Sequence, residues 1–335
     1  MNDADATLAA DVLITADLRG IDSHGVARLS GYVRLHEMNR ANMKPNWKII
    51  HETPSTATVD ADNGLGLVVA PKAMKIAIAK AQNVGTGWVA IQNSNHFGIA
   101  AYHAMMALKH DMIGIAMTNA SPLVSPTYSK ERMLGTNPMC YVFPAGKHLP
   151  FVADMATSSA ANGKLEIAQR KGKTIPHGWV QDANGNDSVD ANELKNGGAL
   201  LPLGSSNDAG HKGYALGSVV DIFTGVLSGA NYGPWVPPFV SFLDPVENLP
   251  GKGIGHFVGA IRVDAFRPVD EFKKNMDNWI ERFKNAKTIT PEQKVIIPGE
   301  PEFAEHDRRL KSGIPLNEKV VEDLQSLAKK FNLVF

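Results

Sequence analysis

Asp17-Leu18-Arg19-Gly20-Ile21-Asp22-Ser23-His24-Gly25-Val26-Ala27-Arg28 is the stretch from which the rest of the chain is read. It has the pattern of one helix ending, a polar turn, and a second helix beginning. Leu8, Val12, Leu13 and Ala16 recur at helical spacing, and Gly20 is a suitable stop. Asp22 or Ser23 can cap the second helix, whose apolar positions include Val26, Leu29 and Val33. With a start near Ser23, His24, Arg28 and Tyr32 fall four residues apart on one face. A hydroxyl, an imidazole, a guanidinium and a phenol would then form one wall at a helix N-terminus. Such a wall suits a small anion, most simply a carboxylate in the fork of Arg28. Taken by itself, the commoner reading of the stretch is a capped surface helix with a polar face.

The whole chain bounds the alternatives. Its 335 residues are 44% hydrophobic and 20% charged, enough for a sizeable core and about two domains. Lys plus Arg and Asp plus Glu are 34 each, so no basic excess points to nucleic acid or to an anionic membrane. Cys140 is the single cysteine, which excludes an internal disulfide and fits a reducing compartment. The first residues are acidic and alanine-rich, without a signal-type pattern, and no apolar run is long enough to span a bilayer. The expected setting is cytoplasmic.

Strand, polar loop and helix alternate along the chain, the usual way an α/β scaffold presents a site. Helical pattern covers roughly residues 5–40 in two pieces. Short strands are expected at 47–50 and 57–60, then a helix over 68–82. The apolar strand 88–92 runs into Asn93-Ser94-Asn95-His96-Phe97-Gly98, and a helix follows over about 99–109. Further strands are expected at 113–118 and 139–143, and 151–158 reads as a strand giving way to a polar turn. Residues 172–207 read as an excursion or small subdomain. A helix opens at His211-Lys212-Gly213, and 231–244 is a loop rich in proline and aromatics. Strands at 255–261 and 295–297 and helices over 270–285, 302–311 and 317–331 close the chain.

His96 sits in a polar, glycine-ended loop directly after an apolar strand, where an imidazole can exchange a proton near neutral pH. Asp154 lies at another strand end and could orient an imidazole or bind a ribose hydroxyl, although turn formation is the ordinary role of a lone aspartate. No metal site is expected. His96, His103 and His110 are seven apart, which cannot chelate one ion, and neither CxxC nor HExxH occurs. There is no GxSxG, and no GxGxxG follows a strand. Residue patterns alone reach a small-anion site with a proton shuttle and no conventional cofactor motif.

Asp17 to Gly25, Ser94 to Gly98, Gly135-Thr136-Asn137-Pro138 and Asp154-Met155-Ala156-Thr157-Ser158 form a set that resembles the malate/L-lactate dehydrogenase family of the non-Rossmann type. Pro298-Gly299-Glu300 matches a late family motif, and the resemblance covers nearly the whole chain. The family includes malate, sulfolactate and ureidoglycolate dehydrogenases and cyclic-imine carboxylate reductases. The chain begins closer to the first motif than is usual there, so an N-terminal helix is expected to be missing or trimmed.

The resemblance implies an α/β fold with a mixed sheet that is not doubly wound, and a helical domain built from both chain ends. Residues 1–50 and 286–335 would form that helical substrate and dimer domain. Residues 51–171 and 208–285 would form the cofactor domain, with 172–207 apart. It implies an oxidoreductase using NAD or NADP, with NAD preferred, and a homodimer with active sites near the subunit contact. His96 would be the general base toward the substrate hydroxyl, and the acid in reduction. Arg28 would hold the substrate carboxylate, with Ser23, His24, Tyr32 and Ser121 around it. Asn119, Asp154, Met155, Ala156, Lys212 and Gly299 would contact the cofactor. Some relatives carry a lysine in the loop occupied here by Asn119-Ala120-Ser121, so its absence favours a 2-hydroxy acid over an imine. Malate is the first expectation, then lactate or sulfolactate, with Arg19 or Arg34 as a second cation. The alternatives are a cyclic-imine carboxylate reductase on the same fold, a non-catalytic small-acid binding protein, and a metal-dependent hydrolase.

Overall fold

A computed structural model of the chain describes residues 1–205 and 209–335. The elements in order are α1 (Asp3–Leu18), α2 (Leu29–Glu37), β1 (Lys48–Glu52), β2 (Thr56–Gly64), α3 (Gly66–Val84), β3 (Thr86–Ser94), α4 (Ala100–Met105), β4 (Met112–Thr118), β5 (Met139–Phe143) and β6 (Phe151–Met155). Then come α5 (Asn162–Arg170), β7 (Val180–Gln181), β8 (Asp187–Ser188), β9 (Ala199–Leu200), α6 (Gly210–Asp221), β10 (Ile254–Arg262), α7 (Val269–Lys284), α8 (Glu300–Ser312) and α9 (Glu318–Lys330).

Seven strands make one mixed sheet in the order β1-β2-β3-β10-β4-β5-β6. Only β2 and β3 run parallel, and every other neighbour is antiparallel. This is the mixed, not doubly wound, α/β architecture expected. The late strand β10 sits at the centre because its run Ile254 to Ala260 is buried throughout, as a strand covered on both faces must be. Helix α3 lies on one face through Val69, Ala73, Met74, Ala77 and Ala81. Its alanines let it approach closely: a Cβ on Gly87 of β3 would stand 1.9 Å from the Ala77 carbonyl oxygen. The small sheet β8-β7-β9 lies within 172–207. The expected boundary at 207/208 falls outside the described residues.

The two chain ends meet beside the sheet. Arg309 of α8 donates to the Asp17 carbonyl at 2.6 Å and pairs with Asp22, while Lys330 of α9 pairs with Glu37 of α2. Among the described residues no helix is long and apolar enough to cross a membrane.

Three local expectations are corrected, and one helix is added. The second helix does not start near Ser23 but at Leu29, after two short 3-10 turns. The helix expected over 99–109 is α-helical only to Met105 and continues as a 3-10 turn. Residues 295–297 form no strand; Val152 pairs instead with the Pro298 carbonyl. Helix α5 is not expected from the sequence: its apolar face is thin, with only Leu165 and Gly163 buried, and no side chain caps it.

Candidate active site

The first wall is built by Asp17. Its carboxylate, at the end of α1, accepts the Val26 N–H at 2.8 Å. Gly25 passes so close that a Cβ there would lie 1.9 Å from Asp17 Oδ1. This bond forces the chain into two tight turns instead of one helix. His24, Arg28 and Tyr32 therefore converge from turn and helix, not from a regular helix face. Burial pushes the Asp17 carboxyl up to about 6, against the opposing effect of the Val26 hydrogen bond.

The second wall is the loop after β3. Asn95 Nδ2 donates to the Asn63 carbonyl at 2.9 Å, and Asn93 Nδ2 to Asp60 at 2.9 Å. Gly98 takes a positive φ of 80°. The loop is thus fixed on both sides of His96. The hydroxyl of Tyr32 lies 2.5 Å from His96 Nδ1, and the Gly98 nitrogen lies 3.4 Å from the same atom. Nε2 has no hydrogen-bond partner among the described residues. Phe239 stacks on His96 at 4.6 Å between centroids, and His24 at 5.7 Å. Burial, then the nearby His24, Arg28 and His256, hold the His96 imidazole well below its ordinary value. Burial and then Arg28 push His24 down to about 4, so both rings are neutral at neutral pH.

His24, Arg28, His96, Asn119, Ser121, Thr136, Gly163 and Phe239 surround one cavity of about 80 Å³. Five residues read from the sequence are therefore brought together. Ser23 and Tyr32 stand behind the wall: Ser23 Oγ meets His24 Nδ1 at 2.9 Å, and its carbonyl accepts from Arg28 Nε at 2.6 Å. Ser121 Oγ accepts the Phe239 N–H at 2.8 Å. Asn119 is engaged internally, donating to the Asn231 carbonyl at 2.7 Å and accepting from Gly255 at 3.0 Å. Neither Arg19 nor Arg34 lines the cavity. Arg19 is buried over the Phe303 ring, and Arg34 holds the Phe239 carbonyl.

The residues read as cofactor contacts follow the edge strand β6. Gly299, at a φ of 97°, packs on Val152, where a Cβ would meet Val152 Cβ at 2.9 Å. Met155 is exposed at the strand end beside Ala156. The carbonyl of the next residue, Thr157, accepts from the Leu203 N–H, and Leu203 abuts Gly213, the neighbour of Lys212. The Lys212 ammonium has no ion-pair partner among the described residues. Asp154 points inward instead, where its carboxylate accepts the Ala101 N–H of α4 at 2.9 Å and burial pushes it up to about 6. The edge offers an apolar shelf, close backbone approach at Gly299 and the Lys212 ammonium. Further along, the Thr127 hydroxyl is buried without a partner among the described residues, beside a cavity of about 430 Å³ at the start of α6. This is a donor set that fits an extended ligand with anionic and apolar parts.

Phe239 and Glu166 are the site residues that sequence reading misses. Pro237-Pro238-Phe239, a rigid turn that presents an aromatic, is the available signal for the first.

A family model described as malate/L-lactate dehydrogenase matches residues 1–325. A malate dehydrogenase from Pyrococcus horikoshii is 45% identical over 330 residues, covering 97% of this chain and 89% of that one. A malate/(S)-sulfolactate dehydrogenase from Methanothermus fervidus is 41% identical over 328 residues, covering 98% and 91%. The crystal structure of a malate dehydrogenase from Entamoeba histolytica superposes with a TM-score of 0.92 at 33% identity, covering 100% of this chain and 93% of that chain.

Proposed function

Because the chain belongs to the malate/L-lactate dehydrogenase family and is an oxidoreductase of 2-hydroxy acids, we propose that it interconverts malate and its 2-oxo acid with NAD or NADP, as a homodimer. Lactate and sulfolactate stand next as substrates. The observation that carries this reading is one cavity holding a neutral imidazole with Nε2 free and a guanidinium beside it. His96 exchanges the hydroxyl proton at Nε2. Arg28 holds the carboxylate, so the adjacent carbon is fixed and positioning does much of the catalysis. His24 and Ser121 close the sides of the cavity, and Ser23 fixes Arg28 and His24 from behind.

Tyr32 serves both directions. With Nδ1–H directed at its hydroxyl, Nε2 is bare to remove the substrate proton; in reduction the ring carries protons on both nitrogens, gives the one on Nε2 to the oxo group and returns to the Nδ1–H form. NAD or NADP, when bound, takes up or supplies the hydride. Met155, Ala156, Lys212 and Gly299 would hold it along the β6 edge, with Asn119 at the substrate end and Asp154 setting α4 behind them. NAD is preferred over NADP.

Two further observations support the setting. The outer face of α6 and the π-helical turn after it, Ile222–Val226, exposes Val219, Ile222, Phe223, Val226 and Leu227 beside an apolar cavity on the sheet. Contiguous apolar surface of this kind suits a subunit contact. The one cysteine, Cys140, is buried in the core, which suits a cytoplasmic, reducing compartment.

The test is loss of NADH absorbance with oxaloacetate, pyruvate and 3-sulfopyruvate, repeated with NADPH. Turnover led by oxaloacetate with NADH is expected. Silence across the panel, with small-acid binding still measurable, would favour a binding protein instead.

A further inference from the structure

We propose that Glu166 is an affinity-determining latch on Arg28, occupying the place of the substrate carboxylate and yielding it when substrate arrives. The inference rests on the role of Arg28 in the proposed function. A guanidinium has two edges that can grip a carboxylate with two parallel bonds. Here Nε donates to the Ser23 carbonyl at 2.6 Å, which uses one edge. Nη1 and Nη2 face Glu166 Oε1 and Oε2 at 3.5 and 3.1 Å, which fills the other. No complete edge remains for a second carboxylate. A substrate can be gripped by both arms of the fork only after Glu166 leaves.

The seat is built for release. Both distances exceed the ~2.7–2.9 Å of a tight charge-assisted bond. The helix that carries Glu166 is short, and its first residue, Asn162, donates to Glu166 Oε1 at 2.8 Å instead of capping the helix. The α5 backbone lies directly on the wall, since a Cβ on Gly163 would meet Ser23 Cβ at 2.6 Å and Arg28 Nη2 at 3.2 Å. Asn162 and Gly163 of α5 line the site cavity of about 80 Å³ together with Arg28.

Glu166 also has somewhere to go. A second cavity of about 390 Å³ opens on the far side of Arg28, lined by Glu166, Arg170, Lys171 and Lys319. The side chains of these three cations have no ion-pair partner among the described residues. Arg170 follows Glu166 by four residues on the same helix, the favourable order for a carboxylate and a cation. A change of side-chain rotamer would exchange one partner for the other.

Glu166→Gln keeps the shape and removes the charge, and Glu166→Ala removes both. Binding of oxalate, a dicarboxylate that cannot be reduced, is measured by calorimetry on wild type, on both variants, and on Arg28→Ala with and without Glu166→Gln. The expected result is about three- to tenfold tighter oxalate binding in the Glu166 variants, no gain in the Arg28→Ala background, and a parallel fall in KM for the best 2-oxo acid. Unchanged or weaker oxalate binding, or a gain that persists without Arg28, overturns the latch. Absence of oxalate binding in all proteins overturns it as well. Because oxalate binding needs no turnover, loss of the dehydrogenase reading shows separately, as wild type that reduces no 2-oxo acid.

Discussion

The hydroxyl of Tyr32 lies 2.5 Å from Nδ1 of His96, joining two motifs that are 64 residues apart. The contact makes Tyr32 a positioning residue that sets which imidazole nitrogen faces the cavity. Tyr32→Phe removes it with little change in volume. We expect kcat to fall about 10- to 100-fold with KM little altered, as for other loss of a partner that orients a working imidazole. Steady-state kinetics in both directions check this, and an unchanged kcat would return Tyr32 to a packing role.

The depressed basicity of His96 gives a pH signature. The folded protein loses this proton well below the usual 6.5, so the base form is filled at neutral pH. Oxidation of the 2-hydroxy acid should therefore hold a level kcat/KM from about pH 8 down through 6.5. Reduction, which takes up a proton, should keep rising as pH falls, with no plateau near 6.5. An oxidation profile that breaks at about 6.5 would mean that the working group is an unshifted histidine.

Arg28→Lys keeps the charge and loses the fork. Lysine cannot donate to the Ser23 carbonyl and grip a carboxylate with two arms at once. We expect KM for the 2-oxo acid to rise by ten-fold or more, about 1.4 kcal/mol or above, with a smaller effect on kcat. Equal KM values would remove Arg28 from carboxylate binding.

Gly25→Ala tests the bend that builds the first wall. The new methyl would stand 1.9 Å from Asp17 Oδ1, so either the Asp17 bond to Val26 breaks or the two turns shift. We expect a loss of about 2–4 kcal/mol and a melting temperature several degrees lower. The mild substitution Ala27→Gly serves as the comparison for local disturbance. A variant that melts like wild type would show that the bend has other support.

Strands β3 and β4 are legible in the sequence because each is a short apolar run that ends at an asparagine, Asn93 or Asn119. His96 is legible for the same reason: it stands at the end of such a strand. The place of β10 between β3 and β4 is not legible, since partner choice depends on contacts more than a hundred residues apart. The turn at Ser23 misleads because its side chain meets His24 Nδ1 and not a helix N–H, while the structural bond comes from Asp17, nine residues from Val26. Helix α5 is hidden by its thin apolar face, and Glu166 with it. Asp154 illustrates the remaining ambiguity of a lone carboxylate: its position at a strand end is clear, but its partner Ala101 lies 53 residues away.

The most direct measurement of the central claim is turnover by His96→Ala alongside its binding of NADH, with oxaloacetate as substrate. The account predicts a loss of kcat of about 10²- to 10⁴-fold while NADH binds as tightly as to wild type. Turnover close to wild type in a variant that binds NADH normally would contradict the assignment of proton transfer to His96.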